Sequence, residues 1–271
     1  MFVKAPKIIF SDIDGTFLKD DRMTVSHRTA EAVHAVLAQG IPFVLVSARM
    51  PEAIYPITDS IGVKIPIISY SGGLVLTDAG ETLADVRMDA SAASMVLSAV
   101  NEHFPVLTVN YYAGRRWYVG DKDDPRVRHE EHITHAQAEH GNFDMLLSIN
   151  TLPSKILLMG APEPCKRAEH DLAAQFPMLH VVRSSPNLVE IMQAGVSKES
   201  GIRTMLEYYG LTAKDALAFG DNYNDLEMLQ FAGTSVAMGN APDDVKKAAS
   251  RVTESNEEDG IWAFLKEHKI I

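Results

Sequence analysis

Two aspartates, Asp12 and Asp14, follow the apolar run Ile8-Ile9-Phe10 and precede Gly15 and Thr16. The run reads as a buried strand, which the glycine ends. In regular β-geometry alternate side chains share a face, so this spacing predicts two carboxylates pointing into one crevice. Like charges so close repel strongly unless a cation or a shared proton lies between them. That is the donor set of a metal-dependent reaction centre, not of a structural element. A second acidic cluster, Gly220-Asp221-Asn222-Tyr223-Asn224-Asp225, follows a strand-like run at 216–219 and opens a helix. Ligands of an open parallel sheet bind beyond the carboxyl ends of its strands, so Asp12, Asp14 and Asp221 can converge on one cation. Hard oxygen donors of this kind suit Mg²⁺. Taken alone, Asp221 and Asp225 would read as helix caps. Two acidic clusters at equivalent strand ends weigh against that.

Lys198, in Gly195-Val196-Ser197-Lys198-Glu199-Ser200-Gly201, opens a helix after a strand. A lysine there opposes the helix dipole, but its charge is useful beside a carboxylate nucleophile and a phosphoryl group. Ser47, ending the apolar run 41–46, carries a hydroxyl able to hydrogen-bond a phosphoryl oxygen. By themselves, an exposed lysine and a strand-end serine are ordinary. Arg49, two residues on, is placed to reach a substrate or to sit in a surface ion pair.

The elements that must position these groups alternate at first. A helix capped by Ser26 carries Ala30, Val33, Val36 and Leu37 on one face and ends at Gly40. A strand at 41–46, a helix from Pro51 to about residue 61 and a strand at 65–70 follow, the last leading into Ser71-Gly72-Gly73. Such alternation predicts βαβ units and a parallel sheet. The texture changes from about 83 to 188. Helices are expected at 90–104, 125–140 and 164–176, with strands at 106–112 and 116–119 flanking a hairpin turn, and others at 156–159, 179–183 and 188–192. The earlier alternation then returns: helix 198–209, strand 216–219, helix 222–231, strand 235–238, helix 241–249 and a last helix at 260–268. The expected class is α/β, a Rossmann-like parallel-sheet core with an inserted α+β cap. The expected domains are residues 1–83 and 189–271 for the core and 84–188 for the cap.

Composition narrows the partners. With 46% hydrophobic and 23% charged residues in 271, the chain can bury a sizeable core and is not of the disordered type. A formal net charge of −11 argues against broad contact with nucleic acid or anionic lipid. Cys165 is the single cysteine, so no intrachain disulfide forms and a reducing compartment is expected. Residues 1–10 hold too short an apolar run for a signal peptide, and nowhere do enough apolar residues run together to span a bilayer. The expected location is the cytoplasm, and oligomeric state is not legible.

The order of these elements resembles the haloacid dehalogenase-like superfamily, whose pattern is DxDGT, then Ser or Thr after a strand, then Lys, then GDxxxD. This chain has DIDGT at 12–16, Ser47, Lys198 and GDNYND at 220–225. The long insertion between Ser47 and Lys198, with the tail GDNYNDLEMLQFAGTSVAMGNAPDDVKKAA, is similar to the Cof-type branch and its α/β cap. The resemblance implies that Asp12 attacks phosphorus, giving an aspartyl-phosphate. Asp14 would protonate the leaving oxygen and later deprotonate water. Ser47 and Lys198 would hold the phosphoryl oxygens, Lys198 also orienting Asp12. Mg²⁺ would be bound by the Asp12 carboxylate, the Asp14 backbone carbonyl and Asp221, with Asn224 and Asp225 behind them.

Many relatives have Asn-Gly-Ala where Ser71-Gly72-Gly73 stands, a loop that often lines the site. Gly72, Gly73, Arg49 and Asn224 are therefore read as substrate contacts beside Ser47 and Lys198. Glu199 departs from the glycine usual after the lysine. The function implied is a Mg²⁺-dependent phosphatase of small phosphorylated metabolites such as sugar, pyridoxal, flavin or nucleotide phosphates. The same motifs also serve phosphomutases and phosphotransferases. A non-catalytic receiver phosphorylated on aspartate would be shorter and would lack the insertion.

The remaining chemistry-bearing residues have simpler readings. His129, His132, His135 and His140, with Glu130, Glu131 and Glu139, do not match the HExxH pattern and read as a solvated face. Tyr111, Tyr112, Trp117 and Tyr118 read mainly as packing, and Arg115 and Arg116 as an exposed turn. Lys19, Asp20 and Asp21 fall in the loop after the first strand, a flap in relatives.

Overall fold

In the computed structural model, which describes residues 5–271, the first apolar run forms strand β1 (Ile8–Asp12), buried along its whole length. Residues 1–4, part of the N-terminal stretch read above for a signal peptide, lie outside the described residues. The chain continues through α1 (His27–Ala38), β2 (Phe43–Val46), α2 (Pro51–Ser60), β3 (Ile67–Ser69), β4 (Leu74–Leu76) and β5 (Thr82–Asp85). Next come α3 (Ala90–His103), β6 (Thr108–Ala113), β7 (Arg116–Val119), α4 (Pro125–Thr134), β8 (Ala138–His140), α5 (Phe143–Ser148), β9 (Lys155–Met159), α6 (Pro162–Gln175), β10 (Leu179–Ser185) and β11 (Leu188–Gln193). The last segment holds α7 (Lys198–Tyr209), β12 (Ala216–Gly220), α8 (Leu226–Phe231), β13 (Thr234–Ala237), α9 (Asp243–Ala248), β14 (Arg251–Val252) and α10 (Gly260–Glu267).

Two compact units result: the chain up to Ala84 with Ser197–Ile271, and Asp85–Val196. The larger unit is built on an eight-stranded sheet of order β14-β13-β12-β1-β2-β3-β4-β5. The six strands from β14 to β3 run parallel, while β4 is antiparallel to β3. The strand order reverses at β1, which lies between β2 and β12, and there a crevice opens at the carboxyl ends. On one face Ile8, Phe10, Val44, Val46, Ala216 and Ala218 pack with Ile202, Met205 and Leu206 of α7. Burying each large apolar side chain there contributes about 1.5–3 kcal/mol. On the other, Phe264 of α10 meets Phe219 edge-on, ring centroids 5.6 Å apart.

The smaller unit has a six-stranded sheet of order β10-β11-β9-β6-β7-β8, antiparallel except for the β7–β8 pair. One of its faces packs Tyr111, Ile156, Leu158, Val189 and Ile191 against apolar residues of α3 and α6, including the buried Cys165. All four hairpin aromatics are buried: Tyr111, Tyr112, Trp117 and Tyr118.

Four sequence expectations are corrected. The helix expected at 125–140 stops at Thr134, because His135 turns left-handed (φ +57°) and Ala138–His140 pairs with β7 instead. The second domain boundary falls at Val196/Ser197, not 188/189, because β11 pairs with β9 and β10 in the smaller sheet. The helix expected at 222–231 begins as a 3₁₀ turn (Tyr223–Asp225) before α8. Strands β4 and β5 extend the core sheet where alternation predicted none.

Candidate active site

β1 ends at Asp12, and the next five residues form a tight turn (Ile13–Phe17) in which Asp14 is extended (φ −81°, ψ 113°) and Gly15 left-handed (φ +83°). The period-two rule therefore does not reach Asp14, and the two carboxylates take different partners.

Asp12 Oδ1 lies 2.5 Å from Lys198 Nζ, and the same ammonium lies 2.5 Å from Asp225 Oδ1. Lys198 opens α7 behind the N-cap Ser197, whose hydroxyl accepts from the Ser200 N–H. It is buried to 2% exposure, not a solvated surface lysine. Glu199, beside it, turns away to Arg203 one helical turn on (2.8 Å).

Asp14 is gripped by guanidinium groups. Arg49 donates Nε to Oδ2 at 2.9 Å and Nη2 to Oδ1 at 2.6 Å. Arg22, from the loop after the turn, donates Nε to Oδ1 at 2.9 Å. Burial by itself would raise the Asp14 carboxyl, but the two arginines outweigh it and pull the group down to about 2. Arg49 thus sits in a nearly buried ion pair at the acid, not in the surface ion pair that is one of its two expected settings.

Asp221 follows β12, the neighbour of β1. Thr16 Oγ1 donates to its Oδ1 at 2.8 Å, and a Cβ on Gly15 would stand 2.4 Å from its Oδ2, so the β1 turn packs directly on this carboxylate. Asp12, Asp221 and Asp225 each offer a carboxylate oxygen, all within 4.8 Å of one another. Asp225 is already engaged: Oδ2 accepts the N–H groups of Asp221 (2.9 Å) and Asn222 (3.0 Å), and Oδ1 faces Lys198. It braces the turn that carries Asp221.

Burial first, then the nearby Asp225 carboxylate, holds Asp12 well above the usual carboxylate range. The same two causes push Asp221 up to about 7. Lys198 is also raised, since burial opposes its charge but Asp12 and Asp225 more than compensate. The cluster holds three carboxylates and one ammonium, which bonds two of them, Asp12 and Asp225. The cluster is short of positive charge, and its all-oxygen donor set fits a divalent cation of the hard type.

Ser47, buried just after β2, accepts the Arg49 N–H on its hydroxyl at 3.1 Å, while its own N–H donates to the Ile68 carbonyl of β3 and its carbonyl accepts the N–H of Ser71 in the turn after β3. Gly72 is left-handed (φ +106°), and a Cβ there would lie 2.1 Å from the Ser197 carbonyl oxygen. Gly73 has ordinary helical angles (φ −68°). Asn224 is exposed on the turn before α8. His129, His132, His135 and His140 are all exposed, and among the described residues they join no metal-type group. Sequence reasoning missed Arg22, Thr16 as a partner of Asp221, and Asn240, whose Nδ2 donates to the Gly15 carbonyl. No local spacing marks them, although Thr16 falls within the DxDGT motif.

A family model for haloacid dehalogenase-like hydrolases matches residues 9–265. A Haemophilus influenzae protein, provisionally named a phosphatase, is 36% identical over 96% of this chain and 97% of its own. A Bacillus subtilis 5-amino-6-(5-phospho-D-ribitylamino)uracil phosphatase is 29% identical over 97% of both. Among solved structures, a haloacid dehalogenase-like hydrolase from Bacteroides thetaiotaomicron superposes with a TM-score of 0.87 at 29% identity, covering 97% of this chain and 99% of that one. A sugar phosphatase of subclass IIB shares the fold (TM-score 0.83, 23% identity, 98% and 100% covered). The chain belongs to the haloacid dehalogenase-like hydrolases. Within them it is a phosphatase-type enzyme.

Proposed function

We propose that this chain is a Mg²⁺-dependent phosphatase of small phosphorylated metabolites, sugar phosphates or similar monoesters, working through an aspartyl-phosphate on Asp12. The observation that carries the reading is Lys198, whose buried ammonium bonds Asp12 and Asp225 together. It fixes one oxygen of the nucleophile and leaves the other to react.

The Asp12 oxygen not bonded to Lys198 attacks phosphorus. A carboxyl O–P bond forms, the ester P–O bond breaks, and the leaving oxygen keeps the electron pair and takes a proton from Asp14. Asp14 then takes a proton from water, whose oxygen attacks phosphorus, freeing Asp12 and inorganic phosphate. Both Asp14 oxygens accept from guanidinium groups, so before the first transfer the carboxylate must part from a guanidinium and take up a proton from solvent, a proton that the later attack of water returns to it. Lys198 and the Ser47 hydroxyl offer donors to the phosphoryl oxygens. Arg49, Gly72, Gly73 and Asn224 stand on the loops that would border the substrate. Mg²⁺, held by the Asp12 and Asp221 carboxylates and the Asp14 backbone carbonyl with Asp225 behind them, would neutralise charge on the phosphoryl group.

The test is hydrolysis of p-nitrophenyl phosphate and a panel of phosphorylated metabolites, with and without Mg²⁺. Turnover that depends on Mg²⁺ and vanishes in Asp12→Asn is expected. Hydrolysis that survives Asp12→Asn, or needs no divalent cation, overturns the proposal.

A further inference from the structure

Asp221 is the one carboxylate of the cluster without Lys198 as a partner, so something else must hold it in place. Thr16 addresses Oδ1. On the Oδ2 side stands Asn240, in the loop between β13 and α9. Its Nδ2 donates to the Gly15 carbonyl at 2.8 Å and lies 3.5 Å from Asp221 Oδ2. The direction of this amide is set from behind. Asn240 Oδ1 accepts the Asn256 N–H at 3.2 Å, so Nδ2 must face the turn and the carboxylate.

Asn256 is buried, and its own Nδ2 donates to the Leu18 carbonyl (2.9 Å) and to Asp20 Oδ1 (3.0 Å). Glu257 adds two more ties to the same loop, its carbonyl accepting from Lys19 Nζ at 2.5 Å and its Oε1 from the Asp20 N–H at 2.8 Å. The segment before α10 thus grips the loop that leaves the β1 turn, and Asn240 extends that grip to Asp221. Gly15 lies between them, too close to Asp221 to carry a side chain.

We propose that Asn240 and Asn256 form a relay that positions Asp221 for a divalent cation and couples cation binding to the loop at 18–20. The inference rests on reading Asp221 as a cation ligand. Both amides are positioning residues: they act through Asp221 and Gly15. Groups that orient metal ligands typically influence affinity about 10–100-fold.

The experiment is calorimetric titration of the metal-free full chain with Mg²⁺, for the parent, Asp221→Asn, Asn240→Ala, Asn256→Ala and the double variant, with melting of each metal-free protein alongside. Asn240→Ala is expected to weaken Mg²⁺ about tenfold with little change in melting temperature. Asn256→Ala, which touches no ligand, should weaken it in the same direction, and the double variant should fall short of the sum of the two. If Asn256→Ala fails to fold, Asn240→Ala decides alone. Parent-like Mg²⁺ affinity in Asn240→Ala, with Asp221→Asn impaired, overturns the relay and leaves the cation site standing. A parent protein that binds no Mg²⁺ overturns both.

Discussion

Arg49 meets Asp14 edge to edge, two guanidinium N–H groups on two carboxylate oxygens at 2.9 and 2.6 Å. With its side chain 8% exposed, Arg49 is far from a solvated surface partner, and such a fork fixes direction as well as charge. The pair therefore aims the Asp14 carboxyl. Arg49→Ala should lower kcat about 10- to 100-fold while KM moves less than about threefold, because misplacing a proton-transfer group affects the transition state more than binding. Arg49→Lys, which keeps charge without the fork, should recover only part. Steady-state kinetics on one good substrate checks this. The reverse pattern, KM raised and kcat kept, would assign Arg49 to the phosphoryl group.

The two aspartates of the DxD pair should also separate in metal binding. Asp12 lies in the three-carboxylate group with Asp221 and Asp225, whereas the Asp14 side chain is absent from it and paired with arginines. Asp14→Asn should keep Mg²⁺ affinity within about threefold of the parent, whereas Asp221→Asn should lose on the order of a hundredfold. Calorimetry measures both. Equal losses in the two variants would mean that the Asp14 carboxylate is itself a ligand.

Legibility followed the range of the interactions. The places of Asp12, Ser47, Lys198 and Asp221 could be read because each ends or follows an apolar run or opens a helix, and those signals lie within a few residues. The joint facing of Asp12 and Asp14 could not, since the strand ends at Asp12 itself and the turn that follows redirects the chain. Strands β4 and β5 are short and flank polar turns, so neither shows a clear period. The pairing of His140 with Val119 across β7–β8 left no trace in a stretch whose local composition suits a helix. Arg22 and Asn240 reach the site from loops. Asn240 meets Gly15 across 225 residues of sequence, and no local pattern encodes such a meeting.

Gly72 separates packing from substrate contact. Its left-handed angle and the Ser197 carbonyl 2.1 Å from any added Cβ leave Gly72→Ala no room except by displacing the N-terminus of α7, which carries Lys198. A left-handed alanine is itself strained by about 1–2 kcal/mol. Gly72→Ala should therefore lower both the melting temperature and kcat, the latter by at least about tenfold. Gly73→Ala, at ordinary helical angles, should change neither much. Thermal melts and initial rates on the pair of variants check the contrast, and equal tolerance of both would show that the α7 terminus yields without disturbing Lys198.

Asp124 gives a pH dependence away from the acidic cluster. It is the N-cap of α4: its Oδ1 accepts the Arg126 N–H at 2.8 Å, Arg126 Nη2 reaches Oδ2 at 2.7 Å, and Thr108 Oγ1 donates to Oδ2 at 2.5 Å. These bonds, those from Arg126 foremost, bring its carboxyl down to about 2 from an ordinary 3.8. Because the folded state holds the proton more weakly than the unfolded chain, the ionised group adds stability that is complete above the ordinary value. That contribution is lost as pH falls toward the folded one. Asp124→Ala should thus cost about 1–2 kcal/mol at neutral pH. The gap between variant and parent in urea unfolding should narrow as pH drops from about 4 to about 3. A gap that stays constant over that range would place the stabilisation in packing, not in the carboxylate charge.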